Sequence, residues 1–198
     1  KRVAKIMQQG KHLGGHCGIT HLDQGAIDWA IDEFSVKSML DVGCGPGGMV
    51  QLGVRSGLRT HGIDGDAKIA ASWFDKSMFT LHDFQDGPPP ITEKYDLCWS
   101  VEFVEHVYEE YMDNYVAAFQ QCKVLFMTHA VPGQGGYHHV NEQPEEYWLD
   151  KISNYGFKFS REYTNKLREV TTMNTNGGRW DPYVKLTGLV FTNENFNN

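Results

Sequence analysis

Along most of this 198-residue chain, short apolar runs of strand length alternate with stretches in which apolar residues recur every three or four positions. The first such stretch follows Thr20-His21-Leu22-Asp23, which has the form of a capping box, and puts Leu22, Ala26, Ile27, Ala30 and Phe34 on one helical face. Ser38-Met39-Leu40 then predicts a buried strand. A helix near 47–56 follows, carrying Met49, Val50, Leu52 and Val54, then a strand near 59–64, a helix near 66–76 and a strand near 78–83. Gly87-Pro88-Pro89-Pro90 forces an irregular connection. The alternation resumes with a strand from Tyr95 to Val101, a helix from about 103 to 121 with Met112, Val116 and Phe119 on one face, and a strand from Val124 to Met127. Near the end, EEYWLDKISNYG predicts a helix stopped by Gly156, FKFSREY a strand and YVKLTGLVFT a last strand. Strands alternating with helices make an α/β, doubly wound and mostly parallel sheet.

The turn after the first strand reads Asp41-Val42-Gly43-Cys44-Gly45-Pro46-Gly47-Gly48. Glycine there admits positive φ angles and lets a ligand approach the backbone, as nucleotide-like cofactors require. Gly43, Gly45 and Gly48 satisfy the dinucleotide fingerprint, which brings nicotinamide or flavin enzymes into consideration. The fuller phrase LDVGCGPGG resembles motif I of the class I S-adenosylmethionine-dependent methyltransferases, matched at Asp41, Gly43, Gly45 and Gly47. About 20 residues on, Asp64 ends a strand where an acidic side chain can accept hydrogen bonds from both ribose hydroxyls. Asp66 is a near competitor, better suited to cap the helix from Ala67.

The resemblance implies further roles. Asp83 would take the adenine amino group with Phe84 near the ring, Asp41 would orient the turn and reach the amino-acid end, and the Ser100 backbone would lie beside the methionine. It also implies a Rossmann-like sheet of seven strands, in the order 3-2-1-4-5-7-6 with the last antiparallel. The core would span about residues 35–191, preceded by a flap and helix (1–34) and followed by a polar tail (192–198). The glycine-containing segment KHLGGHCGITHLD fits a flap closing over a cofactor and equally a plain extension.

With 40% apolar and 13% aromatic residues the chain suffices for one core, hence one domain over 1–198. No apolar run approaches the roughly 18 residues of a membrane span, and no leader is visible, so a soluble, cytoplasmic protein is expected. A first residue of Lys1 suggests a domain excised from a longer chain and covalently linked to other enzyme domains. Cys17, Cys44, Cys98 and Cys122 are widely spaced and read as reduced thiols. A formal charge of −7, without a basic cluster, disfavours nucleic acid as a partner.

Glu102, Glu105 and His106 stand at i, i+3 and i+4, so a helix would gather all three on one face. This arrangement resembles the divalent-metal site of small-RNA 2′-O-methyltransferases and ubiquinone-biosynthesis O-methyltransferases, and its donors suit Mg²⁺ or Mn²⁺. Many metal-free class I methyltransferases carry a similar glutamate and histidine that only pack or hydrogen-bond. The later loop THAVPGQGGYHHVNEQP offers His129, His138 and His139, with His139 favoured as a fourth ligand. Alternatively His106, His138 or His139, with Glu105, would handle the proton of an attacking hydroxyl. A cation held by a vicinal diol would fix such an acceptor and acidify it. Tyr137, Tyr147, Trp148 and Trp180 offer apolar faces to sugar rings. PGQGGYHHVNEQPEEYW also looks like segments of methyltransferase domains attached to glycosyltransferases of phages and large algal viruses. The expected acceptor is therefore a sugar or glycan hydroxyl, such as the 2-OH of rhamnose. The alternatives are catechol or quinone O-methylation, then RNA 2′-O-methylation, nicotinamide chemistry, and a catalytically silent cofactor-binding module.

Overall fold

The computed structural model describes residues 10, 12–16, 18–173 and 182–196. Cys17 and Trp180 lie outside the described residues. Helix α1 (Gln24–Phe34) leads into strand β1 (Ser38–Val42), then α2 (Gly48–Arg55), β2 (Arg59–Asp64), α3 (Ala67–Ser72) and β3 (Phe79–Leu81). The chain continues through β4 (Tyr95–Ser100), α4 (Met112–Phe119), β5 (Cys122–Met127), α5 (Glu145–Ser153), β6 (Phe157–Phe159), α6 (Arg161–Val170), α7 (Tyr183–Thr187) and β7 (Leu189–Asn193). These strands form one seven-stranded sheet in the order β3-β2-β1-β4-β5-β7-β6. β7 runs antiparallel to both neighbours and the other pairs are parallel. The expected order holds throughout.

Every residue of β1 is buried, because helices cover both sides of the sheet. On one side Leu40, Cys98, Leu125 and Met127 pack with Tyr115, Phe119, Trp148 and Ile152. On the other, Met39, Leu97, Val124 and Phe126 meet Ala26, Trp29 and Leu167. Trp29 stacks on Phe126 at 5.4 Å, which locks α1 to the central strands. Glu145 accepts hydrogen bonds from Arg161 and Arg168, tying α5 to α6.

Several local expectations are corrected. Asp23, not Thr20, caps α1 by accepting from the Ala26 N–H, and the Thr20 hydroxyl accepts from Gly48 N–H instead. The helix expected over 103–121 is two 3-10 turns, Val104–His106 and Glu109–Tyr111, followed by α4. Glu102 at φ 55° breaks helical geometry before it can start. The strand expected over FKFSREY ends at Phe159, where Ser160 caps α6 through Tyr163 N–H. YVKLTGLVFT divides into α7 and β7. The sheet also reaches past residue 191: Asn193 is 9% exposed, pairs with Phe157 and donates to the Gln120 and Cys122 carbonyls. Among the described residues, no helix is long and apolar enough to cross a membrane.

Candidate active site

A cavity of about 450 Å³ opens beside the glycine turn, on the side of the sheet to which β1, β2 and β4 point their carboxyl ends. Open parallel sheets place ligands there. The turn is held by Gly43 and Cys44 N–H groups donating to the Ile63 carbonyl. Gly43 has φ 80°, and a Cβ on it would lie 2.4 Å from the Phe103 ring. Gly47, at φ 82°, starts α2, and a Cβ there would strike Trp73 at 2.2 Å. Only glycine satisfies both the angle and the space.

Asp41, Gly43, Gly45, Asp64, Asp83 and Phe84 all line this cavity, whereas Gly47 and Ser100 do not. Gly47 shapes the turn from behind. Ser100 is fully buried with its hydroxyl donating to the Val42 carbonyl, and its neighbours Trp99 and Val101 face the cavity instead. Asp64 accepts from Gly45 N–H at 2.9 Å through one oxygen and from Asp66 N–H at 2.8 Å through the other. Burial still raises its pKa against those hydrogen bonds. Asp41 is 3% exposed, and burial, then the nearby charge of Asp64, push its carboxyl well above the usual range. Asp66 caps α3, as its position after β2 predicts.

The segment 12–16 crosses the cavity. His12 Nε2 lies 2.8 Å from Asp83 Oδ2, His16 Nε2 lies 3.0 Å from Asp66 Oδ2, and Tyr137 donates its hydroxyl to the Leu13 carbonyl. The carboxylate expected to meet adenine thus already holds a histidine, and it also caps a 3-10 turn through Gln85 N–H. Sequence reasoning treated this segment by its glycines and passed over His12 and His16, although both stand inside KHLGGH.

The same cavity is lined by Glu102, His106 and His139, and Glu105 beside His106 is fully buried. One ligand atom from each of Glu105, His106 and His139 can be chosen so that all lie within 4.8 Å of one another. They converge without the expected helix face, because the Glu105 carbonyl accepts Val140 N–H and Asn141 N–H and so clasps the histidine loop. Both Glu105 carboxylate oxygens are buried without a hydrogen-bond partner. Burial, then the charge of Glu102, raise its pKa well above normal. Such a carboxylate lacks a counter-charge, and a divalent cation would supply one, so the donor set fits a hard or borderline metal. Glu102 stands outside that three-residue group, bonded to Thr128, whose hydroxyl donates to it at 3.2 Å. Burial, then the neighbouring His139, depress the His106 pKa to about 4, so the ring is neutral near pH 7.

His138, at φ 51°, turns away from this group toward Tyr108 and His12. His129 is buried beside Trp148. Of the aromatic faces considered for sugar rings, Tyr137 lines the cavity; Trp148 is fully buried in the core and Tyr147 packs against it. Tyr183 and His21 stand at the cavity as an edge-on pair at 5.2 Å. One participant was overlooked: Glu142, three residues after His139 in HHVNE, accepts from that ring.

The seven-stranded sheet and its strand order are those of the Rossmann-like methyltransferase fold. Residues 40–125 match the model of a family described as a methyltransferase domain, a span running from β1 into β5 and including the glycine turn, Asp64, Asp83 and Glu105. A TehB-like SAM-dependent methyltransferase from Corynebacterium glutamicum superimposes with TM-score 0.59 at 15% identity, covering 85% of this chain and 87% of that one. Magnesium protoporphyrin IX methyltransferase from Synechocystis PCC 6803, solved with bound SAM, gives TM-score 0.55 at 18% identity over 83% and 74% of the two chains. The [4+2]-cyclase SpnF gives 0.53 at 18% identity over 67% and 56%. No curated protein matches the sequence. Likeness at these identities establishes the fold; a cyclase among the neighbours means that chemistry must be argued from the site.

Proposed function

We propose that this chain transfers the methyl group of S-adenosylmethionine to a hydroxyl, most suitably on a sugar or glycan, with Mg²⁺ or Mn²⁺ at the glutamate and histidine group. The observation that carries this is the continuity of one cavity from the glycine turn, Asp41 and Asp64 to Glu102, His106 and His139. The glycine turn leaves room for a nucleoside against β1, and Asp64 keeps lone pairs for ribose hydroxyls. Asp41 offers a carboxylate toward a cationic amino-acid end. S-Adenosylmethionine supplies an electrophilic methyl on a sulfonium centre; the remaining demands are positioning and removal of a hydroxyl proton.

Glu105, His106 and His139 would hold the cation, which polarises a hydroxyl and lowers its pKa when bound. The neutral His106 ring offers its nitrogen as a ligand or as the proton acceptor. Residues 12–16 and Tyr137 line the cavity and would help shield a bound cofactor. A neutral acceptor suits a chain of formal charge −7, and Tyr137, 51% exposed, offers a face for a sugar ring.

The test combines calorimetry with S-adenosylhomocysteine and NAD, and methyl transfer from radiolabelled cofactor to a panel of glycosides and catechols, with and without EDTA. S-Adenosylhomocysteine should bind and NAD should not; a glycoside should be labelled, EDTA should stop the transfer and Mn²⁺ should restore it. Failure to bind S-adenosylhomocysteine overturns the cofactor reading. Full transfer in excess chelator removes the metal, and labelling of catechols alone replaces the sugar.

A further inference from the structure

Glu142 makes a concentrated set of contacts at the rim of the histidine loop. One oxygen, Oε1, accepts from His139 Nδ1 at 3.0 Å and from Gly135 N–H at 2.6 Å; the other, Oε2, accepts from Gly133 N–H at 2.8 Å. An ionised carboxylate has no proton to give, so the His139 nitrogen facing it carries the hydrogen. With a single ring proton held on Nδ1, the lone pair lies on Nε2, the ring atom left to bind a cation or take a proton. The same ring is backed by Gly136, where a Cβ would fall 2.3 Å from Nε2, so the loop is built around this orientation. His139 is 9% and Glu142 18% exposed, so water competes little for the pair.

We propose that Glu142 is the positioning residue of the site: it fixes His139 as the Nδ1–H tautomer and ties the ring to the Gly133–Gly136 loop, leaving Nε2 to act with Glu105 and His106. The inference rests on the reading of those three residues as the working group of the enzyme. Histidines that ligate metals are oriented in this way by an outer carboxylate, whose loss weakens metal binding by about 10–100-fold. Without such a partner, histidine favours the opposite tautomer, with the proton on Nε2, which withdraws the lone pair from the group.

The proposal is tested by ¹⁵N NMR of histidine-labelled full chain, and by titration with Mn²⁺ alone followed by electron paramagnetic resonance. In the wild type the His139 Nδ1 should be protonated and Nε2 bare. Glu142→Ala should move the proton to Nε2 and weaken Mn²⁺ binding about 10–100-fold, with S-adenosylhomocysteine affinity unchanged. Glu142→Gln, which keeps a carbonyl acceptor, should retain the Nδ1–H form and recover part of the Mn²⁺ affinity; it also serves if the alanine variant does not fold. A His139 tautomer unaltered in Glu142→Ala overturns the proposal, as does Mn²⁺ affinity equal to that of the wild type. If the wild type binds no Mn²⁺ yet the tautomer switches, the positioning role stands and the metal reading falls.

Discussion

Asp41 and Asp64 are the residues whose environment argues most directly for a bound ligand. Two carboxylates stand together where burial disfavours their charge, and Asp64 is the second-largest reason that Asp41 resists ionisation. An acid with a raised folded-state pKa loses stability as pH climbs from the unfolded-state value, about 3.9, through the folded-state value. Asp41→Asn removes that ionisation. The variant should therefore gain Tm over the wild type at pH 8 and gain less at pH 5, by about 2–4 °C per kcal/mol for a chain of this length. It should also bind S-adenosylhomocysteine more weakly in calorimetry, and equal Tm values at pH 8 would refute the argument. For ribose recognition, Asp64→Ala should weaken S-adenosylhomocysteine binding by about 1.5–3 kcal/mol, the scale of a hydrogen bond to a charged group. Asp66→Ala removes the α3 cap and should instead cost about 1 kcal/mol of stability in chemical denaturation. If the two effects are exchanged, Asp66 is the ribose ligand.

Among the elements, the strap over 12–16 ties the acidic strand ends to the histidine loop: His12 meets Asp83, His16 meets Asp66, and Leu13 accepts from Tyr137. A strap with those attachments should slow escape of a bound nucleoside. Removing residues 1–18 should raise the dissociation rate of S-adenosylhomocysteine about tenfold in stopped-flow measurements, the equivalent of about 1.4 kcal/mol, while the ligand-free Tm stays close to that of the full chain. Slower dissociation after truncation would mean that His12 competes with adenine for Asp83. How far such elements were legible in the sequence depended on burial. The central strands were read from their apolar runs because both faces of the sheet are covered, and the glycine turn was read because three positive φ angles leave no substitute. Helix α6 was missed because it buries only Thr164 and Leu167, although Ser160 followed by Tyr163, Leu167 and Val170 carried a helical spacing. The segment after β4 misled through its E-x-x-E-H spacing. Glu105 and His106 do meet His139, but through the Glu105 carbonyl holding residues 140–141, a long-range contact that no local pattern encodes, while Glu102 stays outside the group.

For the whole molecule, the sheet separates two large apolar cores and the cavity lies at the carboxyl ends of its central strands, so in the proposed reading recognition of an acceptor depends on the field around that cavity. That field belongs to a chain with 18 basic and 25 acidic residues. A polyanionic acceptor would have to overcome this charge through a few cationic contacts, and its binding would fall steeply with salt. For a nucleic acid held by 6–10 phosphate contacts the loss is about 10³–10⁵-fold between 50 and 200 mM salt. A neutral glycoside feels no such field. Its kcat/KM for methylation should change by less than about twofold over the same salt range, because ionic screening acts on charged partners and leaves neutral ones alone. The measurement is the initial rate of label transfer at subsaturating glycoside, with cofactor saturating at each ionic strength so that its own charged end does not enter. A steep fall with salt for the preferred acceptor would mean an anionic substrate and a local basic surface strong enough to oppose the overall charge, and the neutral-sugar reading would be lost.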